Sequence, residues 1–268
     1  MPLAYLFDLD GTLYTDAGPI PGAVDLLHTL RGRGTAFRYV TNTTSRPRST
    51  IVERLRGYGF EAEPDDVFTP VTASAAILRG LGCRTLAPFV SRATHDDLGG
   101  FELCGGLAER RPERPPDAVI VGDLGEQWSF TLMQEAFEYL VAGAHLIALS
   151  SDRFWMTRQG LTLDAGAFVA GLEYASGKTA TIAGKPSPEF FQAAVQSLGL
   201  PQRTASREIA MVGDDIWSDV QGAQRAGYQG WLVRTGKFQE QKLKESGVVP
   251  EQVLESVAEV ARAGGAEQ

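Results

Sequence analysis

Two aspartates separated by one residue stand at the end of the first apolar segment. Asp8 and Asp10 belong to the run DLDGTL, which follows the apolar stretch 3–9. Side chains two residues apart in a strand point to the same side, so we expect the two carboxylates to lie together. Neighbouring carboxylates repel unless a cation or hydrogen bonds compensate them, and Mg²⁺ favours oxygen ligands. The alternative is an acidic turn that only ends a strand.

A second acidic group follows another apolar stretch, 209–212. Asp214, Asp215 and Asp219 lie in the run GDDIWSD. These carboxylates stand at another predicted strand end, and beside DLDGTL they favour metal binding. The alternative is an Asx turn and helix N-cap, with Ser218 or Asp219 starting the next helix.

The run TNTT, which begins with Thr41 and Asn42, follows the apolar stretch 37–40. Its hydroxyls, amides and backbone N–H groups precede a predicted helix, which suits an anion. Ordinary helix capping is the alternative.

Lys185 lies in the run GKPSP, on a turn that Pro186 restricts. There it could supply a fixed positive charge to a bound anion. A solvated surface lysine is the alternative.

Apolar, β-branched segments alternate with helical patterns along the chain. This alternation predicts an α/β fold with a mainly parallel sheet, in which ligands bind at the carboxyl ends of strands. Ser187 is predicted to cap the helix 189–198, with Pro188 as its first residue. Strands are predicted at 3–9, 36–40, 118–121, 145–149, 208–212 and 230–233, and further helices at 21–31 and 49–58.

The length of 268 residues corresponds to about 1.8 domains of roughly 150 residues. Polar clusters end the strands near both chain ends, whereas the strands of the middle do not all end in one. We therefore predict a core formed by 1–78 and 182–268, interrupted by an inserted domain at 79–181. Within the insert, 99–116 is rich in Gly, Pro and Arg and is predicted to be a loop or linker.

The composition excludes several classes of function. Lys and Arg total 25 and Asp and Glu total 33, a net charge of −8, which disfavours general binding to nucleic acid. The longest apolar runs fall short of the roughly 20 residues of a membrane span, and the N-terminus lacks the basic start of a signal peptide. A cytoplasmic protein is therefore expected. Cys83 and Cys104 form no CxxC motif and are predicted to be buried thiols.

Taken in order, DLDGT, TN, GKP and GDDIWSD resemble the four motifs of the haloacid dehalogenase superfamily of phosphatases. The resemblance extends over nearly the whole chain and is strongest to the type IIA, NagD-like branch. It implies a Rossmann-like core with an inserted α/β cap of the C2 type. Within that branch, VTNTT, LEYASGKTATIAGKPSPEFF, MVGDD and VRTGKF are most similar to the phospholysine phosphohistidine inorganic pyrophosphate phosphatase and hydrolase-domain-containing sub-branch.

The resemblance implies catalytic roles for Asp8, Asp10 and Lys185, and substrate binding by Thr41, Asn42 and Lys185. Asp8 would be the nucleophile that forms an aspartyl-phosphate, and Asp10 the general acid and base. Thr41 and the backbone of Asn42 would hold phosphoryl oxygens. Lys185 would pair with both Asp8 and the phosphate.

The same resemblance implies a Mg²⁺ site. Asp8, the backbone carbonyl of Asp10 and Asp214 would be ligands. Asp219 would act through water or orient Lys185, and no role is implied for Asp215.

The expected function is therefore Mg²⁺-dependent hydrolysis of small phosphorylated metabolites through an aspartyl-phosphate. The alternatives are a pyrophosphate or phosphoamino-acid phosphatase, a phosphotransferase, and a non-catalytic regulatory protein that binds phosphoryl groups. A signalling receiver domain also uses a phosphorylated Asp, but it is about half as long and has no inserted domain. The resemblance allows a homodimer through the cap, and the substrate is not defined.

Within the predicted cap, 123–128 could reach over the active site. Arg153, Trp155 and Arg158 could contact the leaving group. A solvated loop with one buried Trp is the alternative.

Overall fold

The fold is described from a computed structural model, which covers residues 2–157 and 160–263, with the backbone alone for 155–157. In chain order the strands are β1 (Ala4–Asp8), β2 (Tyr14–Thr15), β3 (Gly18–Pro19), β4 (Ala36–Val40), β5 (Val67–Phe68), β6 (Thr85–Phe89), β7 (Glu102–Leu103), β8 (Ala118–Val121), β9 (His145–Ala148), β10 (Phe154–Thr157), β11 (Gly160–Leu163), β12 (Thr181–Ile182), β13 (Ile209–Gly213), β14 (Gln229–Val233) and β15 (Gln252–Leu254). The α-helices are α1 (Ala23–Gly32), α2 (Arg48–Gly57), α3 (Pro70–Gly80), α4 (Phe130–Val141), α5 (Ala165–Ser176), α6 (Pro188–Ser197), α7 (Gly222–Arg225), α8 (Glu240–Ser246) and α9 (Val260–Ala263).

The chain forms two compact units. The first comprises Met1–Thr41, Ser49–Phe68 and Lys185–Gln268, and the second Asn42–Arg48 and Thr69–Gly184. The domain boundaries derived from the sequence, 1–78, 79–181 and 182–268, stay a prediction and differ in detail from the bounds of these compact units.

The first unit contains a parallel sheet in the order β15-β14-β13-β1-β4-β5. All of β1 is buried, as expected for a parallel strand that is covered on both faces. On one face, Tyr5 and Phe7 pack with Leu27 of α1, Leu55 of α2 and Trp231 of β14. The carboxyl end of β1 lies between β13 and β4, which is where a ligand is expected in such a sheet.

The second unit contains its own parallel sheet, in the order β12-β9-β8-β6-β7, and an antiparallel hairpin of β10 and β11. Its core includes a stack of three aromatic rings, in which Trp128 lies between Phe89 and Phe168 at centroid distances of 6.0 and 4.7 Å. Stacked rings bury large apolar area, so this trio joins β6 to α5.

The predicted α/β class with parallel sheets is confirmed. The interpretation of 99–116 as loop alone is wrong, because Glu102 and Leu103 form the edge strand β7 against Thr85 and Leu86. A strand of this length shows no sequence periodicity, which is why it was missed.

The predicted burial of the cysteines is confirmed, since both Cys83 and Cys104 are buried free thiols. In the described part of the chain, no helix combines the length and apolar character needed to cross a membrane.

Candidate active site

Asp8 is the last residue of β1, and its carboxylate is held from two sides. Lys185 Nζ lies 2.5 Å from its Oδ1, and the buried Thr12 Oγ1 donates to its Oδ2 at 3.4 Å. Both oxygens therefore have a donor, which fixes the orientation of the carboxylate at the sheet edge.

The second acidic run follows β13 and forms a short π-helix, Ile216–Gln221. Asp215 caps this helix by accepting hydrogen bonds from the backbone N–H groups of Trp217 and Ser218, both at 3.0 Å. The helix therefore begins at Ile216. The Asx turn and N-cap considered as the alternative for this run are present, but the start at Ser218 or Asp219 is wrong. Burial alone would raise the pKa of Asp215, but the two N–H groups together with the charges of Lys237 and Lys185 outweigh it and hold that pKa below its usual range.

The π-helix turns Asp219 back toward the end of β13. Asp219 Oδ2 accepts a hydrogen bond from the backbone N–H of Asp215 at 3.1 Å, and its Oδ1 lies 2.7 Å from Lys185 Nζ. A Cβ at Gly213 would stand 2.2 Å from Asp219 Oδ2, so glycine is required there. π-Helical turns are frequent at functional sites, and here the turn serves to bring a carboxylate onto the lysine.

Together, Asp8, Asp214 and Asp219 form a buried group of carboxylates. One oxygen from each lies within 4.8 Å of the others, and all three residues are buried. Lys185 bridges Asp8 and Asp219. One ammonium opposes three carboxylates, so the ionised group carries an excess of negative charge in a buried place.

The pKa values respond to this excess of charge. Burial, reinforced by Asp8, raises the pKa of Asp214 to about 6. Burial also raises the pKa of Asp219 against the opposing attraction of Lys185. Burial lowers the pKa of Lys185, but Asp219 and Asp8 outweigh it and the net shift is upward. A hard cation would relieve the repulsion, and carboxylate oxygens are suitable ligands for Mg²⁺.

Asp10 lies outside this buried group. β1 ends at Asp8, so the strand alternation that was expected to pair the two carboxylates does not extend to Asp10. Its side chain is 57% exposed, and its Oδ1 lies 3.6 Å from Nη1 of Arg54. Arg54, which the sequence did not single out, is on α2 and stacks over the ring of Tyr14 at 4.5 Å. The exposed Asp10 carboxylate can exchange protons with solvent.

The predicted phosphate-binding residues fall in different units. Thr41 is buried and follows Val40, the residue of β4 that stands opposite Asp8 of β1. Its backbone N–H donates to the carbonyl of Phe68 at 3.2 Å. Asn42 belongs to the second unit, where its Oδ1 would lie 3.2 Å from a Cβ built on Gly184.

A loop that the sequence left without a role also contacts the acidic group. After β14, Thr235 Oγ1 donates to the carbonyl of Gly11 at 2.5 Å, and the backbone N–H of Lys237 donates to Asp214 Oδ2 at 2.6 Å. These residues lie in VRTGKF, a run that contributed to the family resemblance but was assigned no role. Gly236 has a positive φ of 58°, a backbone conformation that glycine adopts without steric cost.

The segment 123–128, predicted to reach over the active site, and Arg153, predicted to contact the leaving group, belong to the second unit. Asp123 accepts a hydrogen bond from the backbone N–H of Gly125 at 2.9 Å, and Trp128 is half-buried in the aromatic stack. Arg153 is exposed. The side chain of Trp155 and all of Arg158 lie outside the described residues, so their contact with a leaving group stays a prediction.

Two family models match the chain. The model described as haloacid dehalogenase-like hydrolase matches residues 5–98, and the one described as HAD-hydrolase-like matches residues 182–260. The matched segments contain every predicted catalytic and metal-binding residue.

Among curated proteins, the chain is 37% identical over 235 residues to haloacid dehalogenase-like hydrolase domain-containing protein 2 of Homo sapiens, covering 88% of this chain and 85% of that protein. It is 35% identical over 240 residues to the phospholysine phosphohistidine inorganic pyrophosphate phosphatase of Homo sapiens, covering 87% of this chain and 83% of that protein. Among solved structures, NagD from E. coli K-12 superposes with a TM-score of 0.82 at 27% identity, covering 97% of this chain and 98% of that chain.

Proposed function

Because the chain belongs to the haloacid dehalogenase-like hydrolase family and is a phosphatase of its type IIA, NagD-like branch, we propose that it hydrolyses small phosphorylated metabolites with Mg²⁺ and through an aspartyl-phosphate on Asp8. The observation that carries this proposal is the buried group of Asp8, Asp214 and Asp219 with Lys185 between two of them. A nucleophile, a cation site and a fixed positive charge are thereby available at one sheet edge.

The donor set suits Mg²⁺, because it consists of hard carboxylate oxygens with more negative charge than Lys185 neutralises. The carboxylates of Asp8 and Asp214 and the backbone carbonyl of Asp10 would hold the ion, with Asp219 acting through water. When bound, Mg²⁺ supplies positive charge that lowers the repulsion between the phosphoryl oxygens and an incoming carboxylate.

The first half-reaction transfers the phosphoryl group to the protein. An oxygen of Asp8 attacks phosphorus and forms the new P–O bond while the bond to the leaving oxygen breaks. Asp10, in its protonated form, gives its proton to that leaving oxygen, so the product departs as a neutral alcohol.

The second half-reaction restores the protein. Asp10, now ionised, takes a proton from a water molecule whose oxygen attacks phosphorus. The bond between phosphorus and Asp8 breaks, the Asp8 carboxylate is regenerated, and inorganic phosphate leaves. In both halves Lys185 opposes the charge of Asp8 and the phosphoryl group, while the Thr41 hydroxyl and the Asn42 backbone N–H donate to phosphoryl oxygens.

A phosphatase for pyrophosphate, phospholysine or phosphohistidine is the second candidate. Its support is the similarity to the relative whose name carries those substrates. In that case the bond that breaks is P–O of an anhydride or P–N, and the same Asp8 and Asp10 serve.

We further propose that the second unit is the cap of this branch and that it mediates a homodimer. Large apolar side chains on its surface support an interface, because Phe130 is 82% and Tyr174 is 93% exposed. A cytoplasmic location stays a prediction from the sequence.

The decisive variant is Asp8→Asn, which keeps the size of the side chain and removes the nucleophile. Phosphate release from p-nitrophenyl phosphate and from a panel of phosphometabolites, including pyrophosphate and phosphohistidine, is measured with Mg²⁺ and with EDTA. We expect the rate of phosphate release to fall by ~1,000-fold or more for Asp8→Asn and for wild type in EDTA. The exposed helix residue Asp25 provides the matched control, Asp25→Asn, which should keep wild-type rates.

Circular dichroism of Asp8→Asn establishes that the fold is intact. Substantial turnover by this folded variant contradicts the assignment of Asp8. Transfer of phosphate to a sugar acceptor in place of its release identifies a phosphotransferase, and wild-type protein without turnover on the whole panel favours a regulatory role.

A further inference from the structure

The loop of Thr235, Gly236 and Lys237, here called the clamp loop, touches two of the proposed metal-binding segments at once. Its first residue donates from Oγ1 to the carbonyl of Gly11 at 2.5 Å, and its last donates from the backbone N–H to Asp214 Oδ2 at 2.6 Å. Gly11 lies in the turn after Asp8 and donates its own N–H to the carbonyl of Tyr14 at 2.7 Å. The clamp loop therefore joins the turn after β1 to the acidic residue after β13.

The contact is too close for any side chain at its centre. A Cβ on Gly236 would stand 1.9 Å from Asp214 Oδ2 and 2.6 Å from the Cα of Gly11. A Cβ on Gly11 would stand 2.1 Å from the same Asp214 oxygen. Both glycines have positive φ, 58° and 89°. One oxygen of Asp214 thus lies between two glycine backbones, where the carboxylate cannot rotate freely.

This arrangement has a consequence for a cation. A charged hydrogen bond and two backbone walls hold Oδ2 of Asp214, so the carboxylate keeps one orientation. A carboxylate that is already immobilised loses less conformational freedom when an ion binds. Partners that orient a metal ligand in this way commonly change metal affinity by about 10- to 100-fold when they are removed.

We propose that the clamp loop is a positioning element that sets the Mg²⁺ affinity of the site by holding Asp214, an inference that rests on the proposed function. None of its residues needs to touch the ion or the substrate. The Lys237 side chain is 70% exposed, and its Nζ lies 3.8 Å from Asp215 Oδ2, so the backbone N–H rather than the ammonium is the group that reaches Asp214.

Two variants separate positioning from general stability. Gly236→Ala places a methyl group against Asp214, and Thr235→Val removes the hydrogen bond to Gly11 with little change in volume. The controls are Gly247→Ala, at a φ of 67° where a Cβ has no described atom within 4 Å, and Thr29→Val, which loses a 2.7 Å hydrogen bond to the carbonyl of Asp25 on the surface of α1. Each control reproduces the backbone strain or the lost hydroxyl away from the site.

The measurement is the Mg²⁺ dissociation constant, from calorimetric titration of the metal-stripped protein without substrate, together with the unfolding midpoint in EDTA. We expect about 10- to 100-fold weaker binding for Gly236→Ala and about 3- to 10-fold for Thr235→Val. The Mg²⁺ dissociation constants of both controls should stay within about twofold of wild type, although their unfolding midpoints also fall. Thr235→Val decides the matter if Gly236→Ala does not fold.

Clamp variants that bind Mg²⁺ like wild type overturn the inference, as does a loss of affinity in the controls as large as in the clamp variants. Failure of the wild-type protein to bind Mg²⁺ overturns the proposed metal dependence itself and the clamp with it. If only the clamp-loop inference is wrong, the wild-type protein binds Mg²⁺ and the clamp variants bind it with the same dissociation constant.

Discussion

The burial of Asp214 lowers the stability of the fold when no metal is bound. The residue is 2% exposed, and burial together with Asp8 raises the pKa of its carboxyl to about 6. At pH 7.5 the folded protein must keep this group ionised in a place that disfavours its charge. Asp214→Asn should therefore increase the free energy of unfolding in EDTA by about 1 to 3 kcal/mol, while Mg²⁺ binding is lost. Urea unfolding at pH 7.5 provides the measurement.

The pH dependence of this effect has a defined sign. A carboxyl whose pKa is raised on folding destabilises the fold above that pKa, and the penalty disappears as the pH falls toward the unfolded value of about 3.9. The advantage of Asp214→Asn should thus shrink between pH 7.5 and pH 4. The surface variant Asp25→Asn should show no such trend. A variant less stable than wild type at pH 7.5 would mean that the repulsion with Asp8 is already compensated without a metal.

Single residues were predictable from the sequence where they follow apolar strands. Asp8 and Asp214 could be placed at a common edge because parallel strands end on the same side of a sheet. The contact of Thr235 with Gly11 could not be predicted, because it joins residues 224 positions apart and involves a backbone carbonyl. Arg54 was missed for a similar reason, since its relation to Asp10 depends on how α2 packs on the sheet.

Among the elements, Asp117 connects the first residues of two neighbouring strands in the sheet of the second unit. Its Oδ2 accepts hydrogen bonds from the backbone N–H groups of Arg84 and Thr85 at 2.7 and 2.8 Å, and its own N–H donates to Thr85 Oγ1 at 3.0 Å. These bonds join the beginnings of β6 and β8 and hold the pKa of Asp117 below its usual range. Asp117→Ala should lower the free energy of unfolding by about 1 kcal/mol at pH 7.

A lowered pKa on folding fixes the pH range of this contribution. It is fully present above the unfolded pKa of about 3.9 and is lost as the pH falls through the folded value. Wild type and Asp117→Ala should therefore approach each other in urea unfolding as the pH falls below about 3.9, and Asp117→Asn, which keeps one acceptor oxygen, should lie between them at pH 7. The exposed Glu126→Ala serves as the control. A difference that persists unchanged at pH 3 would rule out the ionised carboxylate as the cause.

The long elements were predictable, and the short ones were not. The strands at 36–40 and 118–121 agree with β4 and β8 because runs that contain aromatic or β-branched residues are typical of strands. The edge strand β7 is too short to carry a period, and the π-helix after Asp215 follows from the packing of Asp219 against Gly213. Both exceptions depend on contacts with other segments, which propensity does not contain.

For the whole molecule, the alternation of strands and helices predicts an α/β protein, while the length and the positions of the polar strand ends predict two parts. The division itself needed the contacts in space. The segment Asn42–Arg48 belongs to the second unit although it lies in the predicted core sequence, because Arg48 pairs with Asp97 through its side chain at 2.9 Å and through its backbone N–H at 3.0 Å. A short polar segment gives no sign of such a partner, since the partner is distant in the sequence.

The proposed homodimer is a property of the whole molecule that the second unit should control. Phe130 and Tyr174 expose large rings to water, and covering them with a partner would remove their apolar surface from water. Replacing both with glutamate would require burial of unpaired charges in that interface, so the double variant Phe130→Glu/Tyr174→Glu should sediment as a monomer where wild type sediments as a dimer. Val249→Glu, at an 80% exposed apolar residue of the first unit, should leave the dimer intact. A monomeric wild type would contradict the homodimer. A double variant that still dimerises would place the interface elsewhere, because two charged side chains cannot be accommodated at the centre of an apolar contact without loss of affinity.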